Sequence, residues 1–455
     1  MKSSREALSG LARRTSEPPV SWLMAMALSH PGLVSLAAGF TDQVTLPLKE
    51  TRRLIGDLLS RPLQGRAALQ YGSTPGDPAL RRITAERIRR LDDRARPARA
   101  GASRATDLAE RLLITGGSQQ LLYMLSECLC EPGDIVLVED PTYFVYLGIV
   151  ESHGLRSRGI RMEADGLDLR HLERCLAGLR RTGQIRRLKL LYLVSYFQNP
   201  TGTTTSHEKK RAALRLLARY ERHAGHRLYL VEDAAYRELR FAGEDVPSAL
   251  TLPGADRRVI YAGTYSKPFA TGMRIGFGVL PAPLLGTVLR VKGNHDFGTS
   301  NLLQQVMRRA LETGIYERHL AVLRRRYTLK AAAMTQALRR HWPSGIDWVE
   351  PRGGLYVWAR LPGSIGTGPH TPFFRRALKH DVLYVPGEFC YAPDPTRPRP
   401  NHEMRLSYGG ATPADIRRGI RRLADVFREF RVMVRAPMPA RRRSGATQSK
   451  LRRTA

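Results

Sequence analysis

The chain has 455 residues, too many for one small core, and 42% of them are hydrophobic, enough for a large buried interior. Lys and Arg total 74 against 41 Asp and Glu, for a formal net charge of +33. Such a balance can signal nucleic acid or an anionic surface. Here the basic residues are spread along the chain and no helix-turn-helix, zinc-finger or RNA-recognition pattern stands out, so a nucleic-acid partner is not expected.

In chain order, residues 1–35 read as an N-terminal arm with one short helix. The apolar stretch at 20–28 has the look of a signal-peptide core, but Glu6, Glu17 and the Pro18-Pro19 pair interrupt that pattern. Residues 36–300 read as a large α/β domain. Its expected strands are 134–139 (DIVLVE), 189–194 (KLLYLV), 227–231 (RLYLV), 258–262 (RVIYA) and 274–280 (RIGFGVL). Continuous apolar runs of this length suit strands buried on both faces, and the helical stretches between them, such as 119–130 and 207–224, predict a mostly parallel sheet. The Arg/Ala-rich segment 92–106 reads as a loop insertion. Residues 301–430 read as a smaller α+β domain: long helices over 301–340, strands at 355–361, 382–386 and 404–407, and a helix at 413–430. Residues 431–455 read as a basic, disordered tail. No apolar run reaches the roughly 18 residues that a membrane helix needs. Cys128, Cys130, Cys175 and Cys390 show neither metal-ligand spacing nor a disulfide framework, so no metal is expected and a reducing cytoplasm is.

Four short motifs carry chemistry, and each falls at the end of an expected strand. Thr264-Tyr265-Ser266-Lys267 is followed by Gly272-Met273-Arg274-Ile275-Gly276. A lone lysine on a loop is ordinarily just exposed. With Arg274 close behind, the pair can place an amine nucleophile and an anion-binding guanidinium in one pocket. Asp233 and Tyr236 follow the strand before it, where open α/β sheets bind ligands, although an aspartate there can equally cap a helix. Tyr196-Phe197-Gln198-Asn199-Pro200-Thr201-Gly202 is turn chemistry that can also present the Asn199 amide. In Thr115-Gly116-Gly117-Ser118-Gln119-Gln120 a strand gives way to a helix, and free N–H groups at a helix start suit a phosphate.

Together with Leu69-Gln70-Tyr71-Gly72, Glu139-Asp140-Pro141-Thr142-Tyr143, Pro351-Arg352-Gly353-Gly354-Leu355-Tyr356-Val357-Trp358, Val385-Pro386-Gly387 and Met404-Arg405-Leu406-Ser407-Tyr408, these pieces run in one order from residue 69 to 408. In that order the chain resembles the fold-type-I, class I/II aminotransferases, and within them the group containing 2-aminoadipate and kynurenine aminotransferases. The resemblance implies the aspartate-aminotransferase fold and transfer of an amino group between an α-amino acid and a 2-oxo acid. It implies pyridoxal 5′-phosphate on a Lys267 Schiff base, with Lys267 also moving the proton. Asp233 would pair with the pyridinium nitrogen, while Asn199 and Tyr236 would bond the phenolic oxygen. Tyr143 would stack on the ring. Ser118, Gln119, Ser266 and Arg274 would hold the phosphate beside Gly117. Arg405 would clamp the substrate carboxylate, with Gly39 and Asn199 beside it, and Tyr71 would reach the neighbouring site of a homodimer.

Two departures concern substrate choice. Ala38-Gly39-Phe40-Thr41 stands where many relatives have Gly-Gly-(Leu or Asn)-Pro. Ser21 matches a position that is arginine in some aminoadipate enzymes, which predicts uncharged, hydrophobic or aromatic donors. The competing readings are a pyridoxal-phosphate lyase or decarboxylase on the same scaffold, since fold does not set the reaction, and a non-catalytic effector-binding protein. The transcription regulators of the group carry an N-terminal DNA-binding domain, for which no room is expected before Leu36.

Overall fold

The computed structural model describes residues 7–30, 32–95, 105–394 and 397–435. Its strands are β1 Val34–Ser35, β2 Leu112–Thr115, β3 Ile135–Asp140, β4 Arg156–Glu163, β5 Gly166–Leu167, β6 Leu188–Val194, β7 Tyr229–Asp233, β8 Val259–Thr264, β9 Gly276–Val279, β10 Asp347–Trp348, β11 Tyr356–Arg360, β12 Val382–Leu383, β13 Val385–Pro386 and β14 Glu403–Ser407. Eight of them form the main sheet in the order β2-β9-β8-β7-β6-β3-β4-β5. The run from β4 through β8 is parallel, and β9 and β5 join antiparallel.

The apolar runs earn their burial by alternation. Ile135 and Leu137 of β3 pack into one core, with Leu191, Leu193 and Leu230. Val136 and Val138 face the other, with Leu190, Tyr192 and Val231. Helices such as Ser118–Leu129 and His207–Ala224 cover the two faces. Asp168 and Ser206 cap the helices they precede by accepting from the backbone N–H three residues on. The parallel strands therefore end together, and β6, β7 and β8 deliver Asn199, Asp233 and Lys267 to one edge of the sheet.

A second sheet, β10-β11-β14-β13, is antiparallel. The stretch 382–386, expected as one strand, is two. Tyr384 is buried between them, with its hydroxyl on the Thr367 carbonyl, and β12 pairs instead with β1 from the N-terminal arm. The arm itself carries two short helices, Gly10–Arg14 and Pro19–Ser29. Its end joins the C-terminal unit, since Leu36 N–H donates to the Leu383 carbonyl and the Ser407 N–H to that of Leu36.

Two helix boundaries also need correction. The helix Pro78–Arg94 continues through Asp92, which was read as loop. That carboxylate is buried against Arg237 and the backbone and hydroxyl of Ser248, which fixes the end of the helix. The C-terminal helix runs from Pro413 to Arg435, five residues past its expected end. β4 was missed. The rest of the expected insertion between 96 and 104, and the tail beyond 435, lie outside the described residues. No described helix is long and apolar enough to cross a membrane.

Candidate active site

A cavity of about 300 Å³ sits at the carboxyl ends of β6, β7 and β8. Of the residues singled out from the sequence, Gly39, Gly117, Ser118, Gln119, Tyr143, Asn199, Asp233, Tyr236, Ser266, Lys267, Arg274 and Arg405 all line it. A larger cavity of about 720 Å³ lies beside it under the N-terminal arm. The two share Gln119, Phe144 and Val145, but the larger one has no lysine or aspartate in its lining, and Lys267 and Asp233 both line the smaller.

Lys267 follows β8, and its Nζ donates to the Gly39 carbonyl at 3.0 Å. Burial holds its ammonium below the ordinary lysine pKa; the Tyr356 phenol opposes the shift, and Arg405 and Arg274 add to it. That is the direction an amine needs to act as a nucleophile near neutral pH.

Asp233, the last residue of β7, is 3% exposed. Its Oδ2 accepts from the Tyr192 hydroxyl at 2.8 Å and its Oδ1 from the Ala235 N–H at 3.0 Å. Burial raises its carboxyl to about 6, against the pull of these two bonds. No cation is among the causes of that shift, so a cationic group entering the cavity would find an acid that lacks a partner. Tyr236 hydrogen-bonds Tyr356, hydroxyl to hydroxyl, at 3.1 Å.

The glycine turn forms the opposite wall. Gly117 has φ +90 and ψ 160, a conformation open essentially to glycine alone. A Cβ on it would lie 2.6 Å from Arg274 Nη2. A Cβ on Gly276 would lie 2.4 Å from the Gly117 carbonyl carbon and 2.5 Å from the Ser118 nitrogen. The cradle is thus narrow because two backbone segments, at Gly117–Ser118 and Gly276, meet without side chains between them and the Arg274 guanidinium lies against Gly117. The helix Ser118–Leu129 points its first N–H groups into it. Arg274 is oriented across it by the carbonyls of Gly116 at 3.1 Å and Thr271 at 3.4 Å.

Arg405, on β14, is 3% exposed. Nη1 donates to Asn199 Oδ1 and Nη2 to the Ala37 carbonyl, each at 2.7 Å, and the guanidinium lies 4.3 Å from the Tyr356 ring centre. Its Nε is buried with no partner among the described residues. A buried arginine that lacks a counter-charge is arranged to receive an anion.

An amine, a buried acid without a counter-charge, a glycine cradle with an arginine, and a second buried arginine fit pyridoxal 5′-phosphate and an amino acid: phosphate at the cradle, ring nitrogen at the acid, aldehyde at the amine, carboxylate at Arg405. Among the described residues no cluster of histidine, cysteine or acids suits a metal ion.

Two sequence expectations are not brought to the pocket. Tyr71 is 83% exposed, with its ring 5.5 Å from that of Phe297, and is not part of this cavity's lining. Ser21 is exposed; Val20 and Met24, one helical turn apart on Pro19–Ser29, are the residues that face the cavity. Trp22 on the same helix stacks on Phe374 at 5.8 Å and meets Phe389 edge-on, which fixes that rotation. Tyr356 and Phe40, also in the lining, had been given no role, although Tyr356 lay inside one of the quoted motifs. Tyr192 went unnoticed because it is an interior strand residue.

The model of the family described as aminotransferase class I and II matches residues 32–423. Aromatic-amino-acid aminotransferase 1 of Thermococcus litoralis is 31% identical over 399 residues, covering 87% of this chain and 88% of the relative. The 2-aminoadipate transaminase of Thermus thermophilus is 32% identical over 411 residues, covering 89% and 92%. Among solved structures, that of kynurenine aminotransferase of Pyrococcus horikoshii in complex with PMP, with KYN as substrates and KYA as products, matches with a TM-score of 0.81 and 30% identity, over 93% of this chain and 97% of that one.

Proposed function

The chain belongs to the class I and II aminotransferase family, and on that premise we propose that the cavity at the ends of β6, β7 and β8 is its active site, with Lys267 as the residue that carries pyridoxal 5′-phosphate. The protein is a pyridoxal-phosphate-dependent aminotransferase. The observation that carries the site assignment is the convergence of Lys267, Asp233, Asn199 and Arg405 on one 300 Å³ cavity from four separate stretches of chain.

When bound, the cofactor supplies an electron sink that lets an α-amino acid lose its Cα proton and leave its nitrogen behind. The protein supplies the rest. Arg405 binds the substrate carboxylate in a two-pronged ion pair. Lys267 would hold the cofactor's aldehyde and, as an amine with a lowered pKa, would take and return the substrate's Cα proton. Asp233 would pair with the ring nitrogen and so keep that nitrogen protonated. Asn199 and Tyr236 steady the phenolic oxygen, and Tyr143 covers the ring. Ser118, Gln119, Ser266 and Arg274 hold the phosphate in the glycine cradle.

The donor side chain faces Val20, Met24, Phe40, Phe144 and Val145. Burying a carboxylate against that wall without a cation costs several kcal/mol, by order of magnitude. The preferred donors are therefore uncharged, hydrophobic or aromatic amino acids. The working protein is a homodimer. Support comes from the exposed apolar residues Leu63, Leu69, Tyr71 and Phe297, which a second copy would cover, and Tyr71 then reaches the neighbouring site. Its four cysteines are free, in keeping with a cytoplasmic location.

Half-reactions test the reading. Leucine, phenylalanine, kynurenine, glutamate and 2-aminoadipate are each mixed with the holoenzyme, and the cofactor absorbance is followed. Stoichiometric amination of the cofactor by uncharged donors is expected. Release of carbon dioxide or elimination products without amination would instead establish a decarboxylase or lyase.

A further inference from the structure

Glu139 ends the apolar run of β3 and is fully buried, yet it touches neither the cavity nor a counter-charge. Its Oε2 accepts from the Val194 N–H at 2.9 Å and from Gln198 Nε2 at 2.8 Å. Its Oε1 has no partner among the described residues. Gln198 is buried too, and its hydrogen-bonding capacity is used up. Nε2 also donates to the Pro141 carbonyl at 3.0 Å, while Oε1 accepts from the Thr201 N–H at 3.1 Å and the Thr201 hydroxyl at 2.6 Å. Its backbone closes the same turn through Thr203 and Gly202.

This turn needs holding. Phe197 sits at φ +44, a strained conformation for an aromatic residue that costs on the order of 1–3 kcal/mol. Two residues on, Asn199 presents the Oδ1 that orients Arg405. A shift of the turn would therefore move the guanidinium.

We propose that Glu139 is a positioning residue of the substrate-carboxylate clamp: through Gln198 it fixes the turn that presents Asn199, and so sets the orientation of Arg405. The inference rests on Arg405 being that clamp. Glu139 acts as a hydrogen-bond acceptor and not as a charge. Burial pushes its carboxyl up to about 8; the bonds from Gln198 and Val194 pull the other way, Asp233 adds to the rise, and Lys210 opposes it. Both bonds fall on Oε2, which accepts them whether or not the carboxyl is protonated. A glutamine offers the same acceptor, and a leucine offers none.

The test uses holoenzyme carrying Glu139→Leu, Glu139→Gln, Thr201→Val or Arg405→Gln. Calorimetry gives the affinity for 3-phenylpropionate, an inert carboxylate; kinetics give KM and kcat for phenylalanine; the cofactor spectrum reports loading. In Glu139→Leu, KM and the dissociation constant should rise roughly tenfold, the effect of about one buried hydrogen bond, while kcat and loading change little. Glu139→Gln should restore both constants to within about threefold of wild type. Thr201→Val, which removes a half-buried hydroxyl that donates to Gln198 and accepts from the Thr203 N–H within the same turn, should weaken binding in the same direction and keeps the test available if the leucine variant does not fold. Unchanged affinity in the leucine and valine variants, or a glutamine variant as impaired as the leucine one, overturns the proposal. Retained binding in Arg405→Gln overturns the clamp assignment beneath it instead.

Discussion

Replacing Asp233 with asparagine should stabilise the cofactor-free protein while disabling the enzyme. The Asp233 carboxyl is raised by burial from its ordinary 3.8 to about 6. Each unit is worth about 1.4 kcal/mol, so keeping this group ionised in the folded, cofactor-free protein costs about 3 kcal/mol. Asparagine removes that cost and still accepts from the Ala235 N–H. It strands the Tyr192 hydroxyl, which now donates to Asp233 Oδ2, at a penalty of about 1 kcal/mol. The net gain is about 2 kcal/mol. Its pH dependence follows from the raised pKa. Below the unfolded value both states are protonated and the carboxyl costs nothing. The cost builds as pH rises from 3.8 to about 6 and is complete above. Urea unfolding of cofactor-stripped protein at about pH 8 and about pH 4 measures this difference directly. The asparagine variant should be the more stable one only at the higher pH. With saturating cofactor the order should reverse, because ligand bound more tightly by the wild type stabilises it by mass action, and turnover of the variant should be mostly lost. An asparagine variant no more stable than wild type at the higher pH, or equally improved at both, would refute the argument.

Lys267→Ala should abolish both turnover and the borohydride-reducible cofactor adduct; a phosphopyridoxyl peptide recovered from this variant would place the linkage elsewhere. Gly276→Ala should lower cofactor affinity by about tenfold or more, since its Cβ would meet backbone at 2.4 Å that no side-chain rotation can relieve, and equilibrium dialysis of the cofactor checks it. Met24→Arg should shift the ratio of kcat/KM for 2-aminoadipate over phenylalanine upward by at least about tenfold, because it supplies the missing counter-charge on the wall. An unchanged ratio would mean that donor side chains do not contact that helix.

Most of the site could be read in the sequence because its residues follow strands that announce themselves. β6, β7 and β8 each contain a continuous apolar run that is mostly buried on both faces, so the polar residues that follow each run stand out as the ones at the sheet edge. β4 (RSRGIRME) could not be read in this way. Near the margin of the sheet its Arg156 and Arg158 stay partly exposed, so its pattern lacks the continuous apolar run of an interior strand. The substrate wall was misplaced for a different reason. Each residue of a helix turns by about 100°, so Ser21 sits about a quarter turn away from the Val20 and Met24 face that Trp22 and its aromatic partners turn to the pocket. Tyr71 was assigned by resemblance to a neighbour's site, and one chain alone leaves it exposed. Asp92 was hidden by its surroundings: Arg- and Ala-rich sequence gives no hint that Arg237 and Ser248 lie across the fold from it.

The placement of Arg405 has a consequence for the order of events during synthesis. All eight strands of the large sheet, the glycine cradle and Lys267 lie before residue 280, whereas Tyr356 and Arg405 come later and Arg405 must close back on Ala37 at the other end of the chain. A chain emerging from the ribosome N-terminus first can therefore complete its cofactor cradle before its carboxylate clamp exists. At about 5–20 residues per second the two are separated by on the order of ten seconds. On the assignments proposed above, the carboxylate clamp is completed only when the two ends of the chain meet.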